Sequence, residues 1–205
     1  MKEIQPEEIW NDDKRRKTKE FILNHKKNSL IEQLTEGMGD VYTIYCDLDS
    51  TLSDFESRFE HFTGLRCDEW RKRADKEFGE KIAKQKFWDI IDNQVGKRYW
   101  AGMSWVQGGQ ELWDYIKQYN PIILTAPSFH DSSVEGKTMW VQDNLGDFEI
   151  IFRQAKDKAE FAGPNKILID DSKDNISDWK SKNGIGILYT GEAQDTIRQL
   201  QQYGI

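Results

Sequence analysis

The chain is short of cysteine, of long apolar runs and of positive charge, and each shortage removes a class of protein. Cysteine occurs twice in 205 residues, as Cys46 and Cys67, with no spacing that makes a disulfide framework or a thiolate metal site. Cys46 lies inside an apolar stretch, which suits a small buried residue better than a reactive one. No apolar run approaches the length that crosses a bilayer, and the opening MKEIQPEEIW lacks the pattern of a signal peptide, so no membrane association and a cytoplasmic location are expected. Lysine and arginine number 29 against 36 acidic residues, a formal charge of −7. Following a nucleic-acid backbone requires a dense basic surface, so stable nucleic-acid binding is not expected. A small phosphorylated molecule needs only a few local cations and a metal ion, and that partner stays open.

Aromatic residues, by contrast, are plentiful. They make up 12% of the chain, including eight Trp and ten Phe, too many for a disordered polypeptide. The length suits one domain of moderate size with a small insertion or a tail. Residues 1–40 differ in character from the rest: polar, with the basic run Lys14-Arg15-Arg16-Lys17, and with Phe21, Ile22, Leu30, Ile31 and Leu34 at spacings that fit the apolar stripe of short helices. A helical N-terminal extension is expected there, with the main domain over 41–205.

From residue 41 the pattern becomes regular. VYTIYCD (41–47), PIILT (121–125), FEIIF (148–152), KILID (166–170) and IGILY (185–189) are short apolar, β-branched runs that read as buried strands. Between them lie helical patterns at 108–120, 134–146, 174–184 and 192–204, and a short helix around Lys158 to Phe161. Strands alternating with amphipathic helices specify a Rossmann-like α/β fold, a parallel five-stranded sheet covered on both faces. Residues 53–105 are largely helical and polar and hold no convincing strand up to residue 100, which makes them an inserted helical cap after the first strand.

In an open parallel sheet, ligands bind beyond the carboxyl ends of the strands. Here the first strand ends in Asp47-Leu48-Asp49-Ser50-Thr51, the second in Thr125, and the fourth in Asp170-Asp171. Four carboxylates converging on one edge repel unless a cation lies among them, and an all-oxygen site suits Mg2+. In the spacing Asp47-x-Asp49, one carboxylate can attack in line while the second, already in the loop, reaches the leaving group. A hydroxyl at Thr125 and a nearby lysine would take the non-reacting oxygens of a phosphoryl group.

DLDST (47–51), ILTAPS (123–128) and ILIDDSKDN (167–175) resemble, in order, the motifs of the haloacid dehalogenase superfamily. The resemblance implies that Asp47 is the nucleophile and Asp49 the general acid and base, that Thr125 binds phosphate, and that Asp47, Asp49 (through its carbonyl), Asp171 and Asp170 hold magnesium, with Asn175 a turn further on. The family's motif lysine falls among Lys156, Lys158 and Lys137; Lys158 is the first choice, with Lys137 as a second phosphate contact. More narrowly, CDLDSTLSDFESRF, KFWDIID, YWAGMSWVQGGQELW, GKTMWV and LIDDSKDNI resemble the 5′(3′)-deoxyribonucleotidases. That family implies a magnesium-dependent phosphomonoesterase for deoxyribonucleoside monophosphates, with Phe55, Phe87 and Trp88 stacking on the base. Tyr99, Trp100 and Trp105 are further candidates, and cap packing is the competing role for every one of these rings. Two departures stand out: Ser50-Thr51 replaces Gly-Val, and Ala126 replaces the Ser beside Thr125. Competing readings are a phosphatase for another small ester, such as a sugar phosphate or a nucleic-acid end, and an idle scaffold that binds a partner through residues 1–40. Base preference, regiochemistry and oligomeric state, a homodimer included, stay open.

Overall fold

The computed structural model describes residues 41–205, and the helical extension expected over 1–40 lies outside them. Five short strands, β1 (Thr43–Cys46), β2 (Ile122–Thr125), β3 (Ile150–Phe152), β4 (Lys166–Asp170) and β5 (Ile185–Leu188), form one parallel sheet in the order β3-β2-β1-β4-β5. The side chains alternate across it. Ile44, Cys46, Ile123, Ile167, Ile169 and Ile187 join a large core on one face; Tyr45, Leu124 and Leu168 join Ile176 and Trp179 on the other. Burial on both faces explains why each strand reads as an unbroken apolar run.

Register decides where the chemistry falls. Cys46 lies opposite Ile123 on one side and Ile169 on the other, so Asp47, Thr125 and the Asp170-Asp171 pair leave the sheet at the same edge. The Asp47 amide donates to the Ile169 carbonyl at 2.9 Å, extending the ladder to the base of that side chain.

The β1–β2 connection carries the insertion as helices: α1 (Phe55–Thr63), α2 (Cys67–Phe78), α3 (Glu80–Asp89), a π-helical turn (Ile90–Val95) and α4 (Lys97–Ala101). Asp54 caps α1 by accepting from the Ser57 amide at 2.9 Å, and Gly64, in the left-handed region at φ 71°, ends it. The neck of the insertion is clasped where chain enters and leaves. The Asp54 amide donates to Ser104 O at 2.8 Å, and the Val106 amide to Leu52 O at 2.9 Å. Helix α5 (Gly109–Ile116) follows, then α6 (Asp131–Asn144), α7 (Lys173–Ser181) and α8 (Ala193–Gln201). The expected short helix before β4 is a 3-10 helix over Ala155–Phe161, and α6 starts three residues earlier than the apolar pattern suggests. Among the described residues no helix is long and apolar enough to cross a membrane.

Candidate active site

At the end of β1, Asp47 is buried and its Oδ1 accepts from Lys158 Nζ at 2.7 Å. The same ammonium donates to Asp170 Oδ2 at 2.7 Å, so Lys158 bridges the central strand to its neighbour β4. Burial alone would lower the Lys158 pKa, but the two carboxylates outweigh it and hold the ammonium charged well above its ordinary range. Asp170 is fully committed. Its Oδ1 also accepts from the Ser172 amide at 2.9 Å, and both its oxygens lie 3.0 Å from Asn175 Nδ2. Lys156, two residues before Lys158, is exposed.

A second lysine serves the neighbouring carboxylate. Lys137 has no exposed surface and donates to Asp49 Oδ2 at 2.6 Å, Thr125 Oγ1 at 3.1 Å and the Ala126 carbonyl at 2.6 Å. Its ammonium lies 4.7 Å from the centre of the Trp100 ring. Gly136 makes this approach feasible: a Cβ there would sit 2.5 Å from Lys97 O and 2.6 Å from Trp100 Cβ, so only glycine lets α6 come so close to α4. The other Asp49 oxygen, Oδ1, is buried and accepts no hydrogen bond among the described residues. Loss of hydration is the main cause of a raised Asp49 pKa, opposed by Lys137 and helped by the Asp47 charge. Asp49 is thus a carboxyl whose pKa burial raises, with one oxygen uncommitted.

Ser50 sits between these two systems with φ 61°, in the left-handed region that glycine favours. The chain thus adopts, at a residue with a Cβ, a backbone shape to which glycine is best suited.

A cavity of about 430 Å³ opens over this edge. Asp47, Asp49 and Asp171 line its floor; Phe55, Arg71, Lys84, Trp88 and Trp100 come from the insertion; Pro127, Ser128 and Phe129 come from the loop after β2. Of the three rings proposed to stack on a base, Phe55 and Trp88 line this cavity. Phe87 does not: it is 1% exposed, stacks on Phe59 at 4.6 Å between centroids, meets Trp70 edge-on, and does not line this cavity. Tyr99 is buried and donates to Phe55 O at 2.8 Å, while Trp105 packs edge-on against Trp140. Arg71, Lys84 and Phe129 carry no motif in the sequence and were not anticipated. Phe129, 82% exposed at the cavity mouth, is the most accessible large apolar residue described.

The insertion is tied to the loop after β2 by one carboxylate. Asp92, buried in the π-helical turn, accepts on Oδ1 from Ser128 Oγ at 2.8 Å, Trp100 Nε1 at 3.3 Å and Ser132 Oγ at 3.4 Å. A π turn displaces the backbone by one residue relative to an α-helix and is common beside functional sites.

Asp47, Asp170 and Asp171 bring carboxylate oxygens within 4.8 Å of one another, a set that fits a hard divalent cation. Three carboxylates face the single charge of Lys158. Asp171 shows the resulting imbalance: loss of hydration, then the Asp47 and Asp170 charges, push its pKa up to about 7. The same causes, with Asp47 the main charge, push Asp170 up to about 6 against the pull of Lys158. Asp170 has spent its oxygens on Lys158, Asn175 and Ser172, which leaves Asp171 and Asp47 Oδ2 with the greater capacity to hold an ion.

The putative HAD-hydrolase YfnB from Bacillus subtilis, solved bound to magnesium, matches 72% of this chain and 88% of its own, at 13% identity and TM-score 0.51. The chain shares the fold of that protein. A HAD-superfamily hydrolase from Ehrlichia chaffeensis (14% identity, 82% of this chain and 100% of that one, TM-score 0.48) and a predicted phosphatase from Clostridium acetobutylicum (14%, 80% and 91%, TM-score 0.47) are also similar. No family model and no curated protein matches the sequence.

Proposed function

We propose that the chain is a magnesium-dependent phosphomonoesterase that works through an aspartyl-phosphate on Asp47 and acts on deoxyribonucleoside monophosphates. The observation that carries the reading is the division of labour between two buried lysines. Lys158 holds Asp47, and Lys137 holds Asp49 together with Thr125.

In the first half-reaction Asp47 Oδ2, which accepts no hydrogen bond among the described residues, attacks phosphorus as the ester P–O bond breaks. Asp49 gives its proton to the departing alkoxide. In the second, Asp49 takes a proton from water, the water oxygen attacks phosphorus, and the bond to Asp47 breaks to release phosphate. Thr125 Oγ1 and Lys137, which hydrogen-bond each other, take the part of holding non-reacting oxygens, and Lys158 fixes the attacking carboxylate while offsetting its charge. Asp47, Asp171 and the Asp49 carbonyl would hold magnesium, with Asp170 beside them engaged by Lys158, and the ion would supply charge neutralisation for the transferred group. Phe55 and Trp88 on the cavity wall support a flat, stackable leaving group, hence a nucleoside.

A phosphate-release screen across nucleotides, sugar phosphates and p-nitrophenyl phosphate, with magnesium or with chelator, tests the whole reading. Activity is expected on deoxynucleotides with magnesium only, and Asp47→Asn is expected to abolish it while keeping the fold. Retention of more than about a few per cent of turnover in folded Asp47→Asn protein would remove the covalent route. Hydrolysis of hexose phosphates but not nucleotides would leave a phosphatase and overturn the nucleotide substrate.

A further inference from the structure

Two cations on the cavity wall have no role in the reaction above. Arg71, on α2, and Lys84, on α3, line the same cavity as Asp47 and Asp49 but belong to the insertion, not the sheet edge. Neither makes an ion pair or a hydrogen bond with any described residue. Some exposed cations of the chain find carboxylates, as Lys72 does with Asp68, Lys97 with Glu135 and Lys117 with Asp114, while others, Lys81 and Lys156 among them, make no ion pair among the described residues; what sets Arg71 and Lys84 apart is their place on this cavity. Asp75 and Glu80 share the adjoining pocket with Arg71 and Lys84, yet do not pair with them.

Arg71 is also held in place. Its guanidinium lies over the Phe87 ring, 4.3 Å from the centroid, and Phe87 is itself locked in the packing between α1, α2 and α3. A face-stacked guanidinium keeps its N–H edge free for a bidentate acceptor. Lys84 precedes Trp88 by four residues on α3, so both project from one side of that helix, and both line the cavity. Two like charges on one wall, neither paired directly with the nearby Asp75 and Glu80, form an arrangement that an anionic ligand would complete.

We propose that Arg71 and Lys84 form a second phosphate site, and that the substrate is a bisphosphate: one phosphate is transferred at Asp47 while the other, retained, is held by the insertion. The proposal rests on the phosphatase reading for the position of the first phosphate, and it extends the nucleotide reading: a deoxynucleotide with one phosphate uses the floor alone, and a second, retained phosphate adds the contact with Arg71 and Lys84.

Non-hydrolysable phosphonates separate the two claims. Binding of hexylphosphonate and of hexane-1,6-bisphosphonate to the full chain with magnesium is measured by calorimetry at low and at 0.5 M salt (roughly the range over which charge contacts are screened). The bisphosphonate is expected to bind about tenfold more tightly, the worth of one charge-assisted contact. That ratio should collapse towards one at high salt and in the Arg71→Gln/Lys84→Gln variant. If the double variant does not fold, the wild-type ratio and its salt dependence decide. Equal affinity for the two ligands at low salt overturns the second site and leaves the phosphatase reading standing. A preference unchanged in the folded double variant overturns the assignment to Arg71 and Lys84. Binding of neither ligand overturns the phosphatase reading together with the proposal.

Discussion

The floor of the cavity and its wall are built on opposite plans. On the floor, Lys158 and Lys137 are buried and each donates to two or more fixed acceptors supplied by neighbouring strand ends. On the wall, Arg71 and Lys84 reach solvent with no ion pair among the described residues, and Trp88 is half-buried. The lesson is one of cost. Reacting groups must hold their geometry to a fraction of an ångström, which justifies desolvating lysines against carboxylates. Groups that only recognise a leaving group keep their water until a ligand replaces it.

The largest effect that would break the contrast is on the floor. Lys158→Met leaves Asp47 and Asp170 as buried carboxylates without their cation, and should cost about 3–5 kcal/mol of stability, with turnover falling at least about a hundredfold. Chemical denaturation and kcat measure both. A loss below about 1 kcal/mol would mean that the bridge is no stronger than a surface pair.

Adjacent residues on α3 sharpen the comparison. Phe87→Ala removes a ring from the packing of the insertion and should destabilise by about 3–5 kcal/mol. Trp88→Ala should instead raise KM for a deoxynucleotide about tenfold to a hundredfold, with little change for p-nitrophenyl phosphate and in Tm. Equal losses on both substrates from Trp88→Ala would assign that ring to packing as well.

A smaller effect is a matter of pH. Loss of hydration and the Asp47 charge push Asp170 up to about 6 and Asp171 up to about 7, above their ordinary 3.8. Without metal, the folded chain holds protons that the unfolded chain has lost, so the contribution of these groups to stability declines as pH rises from about 4 through 7. Magnesium should offset the repulsion that remains once they ionise. The rise in Tm on replacing chelator by magnesium is therefore expected to be small at pH 5.5 and to grow up to pH 8. A pH-independent increment would place the ion away from these carboxylates.

The smallest expected change is at Ser50. Glycine relieves the left-handed backbone of a residue with a Cβ, partly offset by a more flexible unfolded chain, so Ser50→Gly should gain about 0.5 kcal/mol. A loss in denaturant midpoint would show that the Ser50 side chain has a compensating role.

The same contrast governs what could be read from the sequence. All five strands were legible because burial on both faces makes each an apolar run, and parallel pairing then carries Asp47, Thr125, Asp170 and Asp171 to one edge. Lys158 could be ranked above Lys156 only by its place in the motif order; burial separates them in the structure. The wall was less legible. Phe87 and Trp88 form an aromatic doublet, but consecutive helical residues point about 100° apart, and the sequence does not say which one turns inward. Arg71 and Lys84 lie on separate helices and meet only through the packing of the insertion, so no motif announces them. The π turn that delivers Asp92 to Ser128 has no local signature either.

The clasp between Asp54 and Ser104, and between Leu52 and Val106, has an evolutionary consequence. It makes the insertion a closed excursion whose two ends stay together whatever lies between them. Helices beyond the clasp can be lengthened, replaced or re-decorated without disturbing the register of β1 against β2 and β4. Residues 55–103 can therefore change while the sheet edge that carries Asp47, Asp49, Asp170 and Asp171 keeps its geometry.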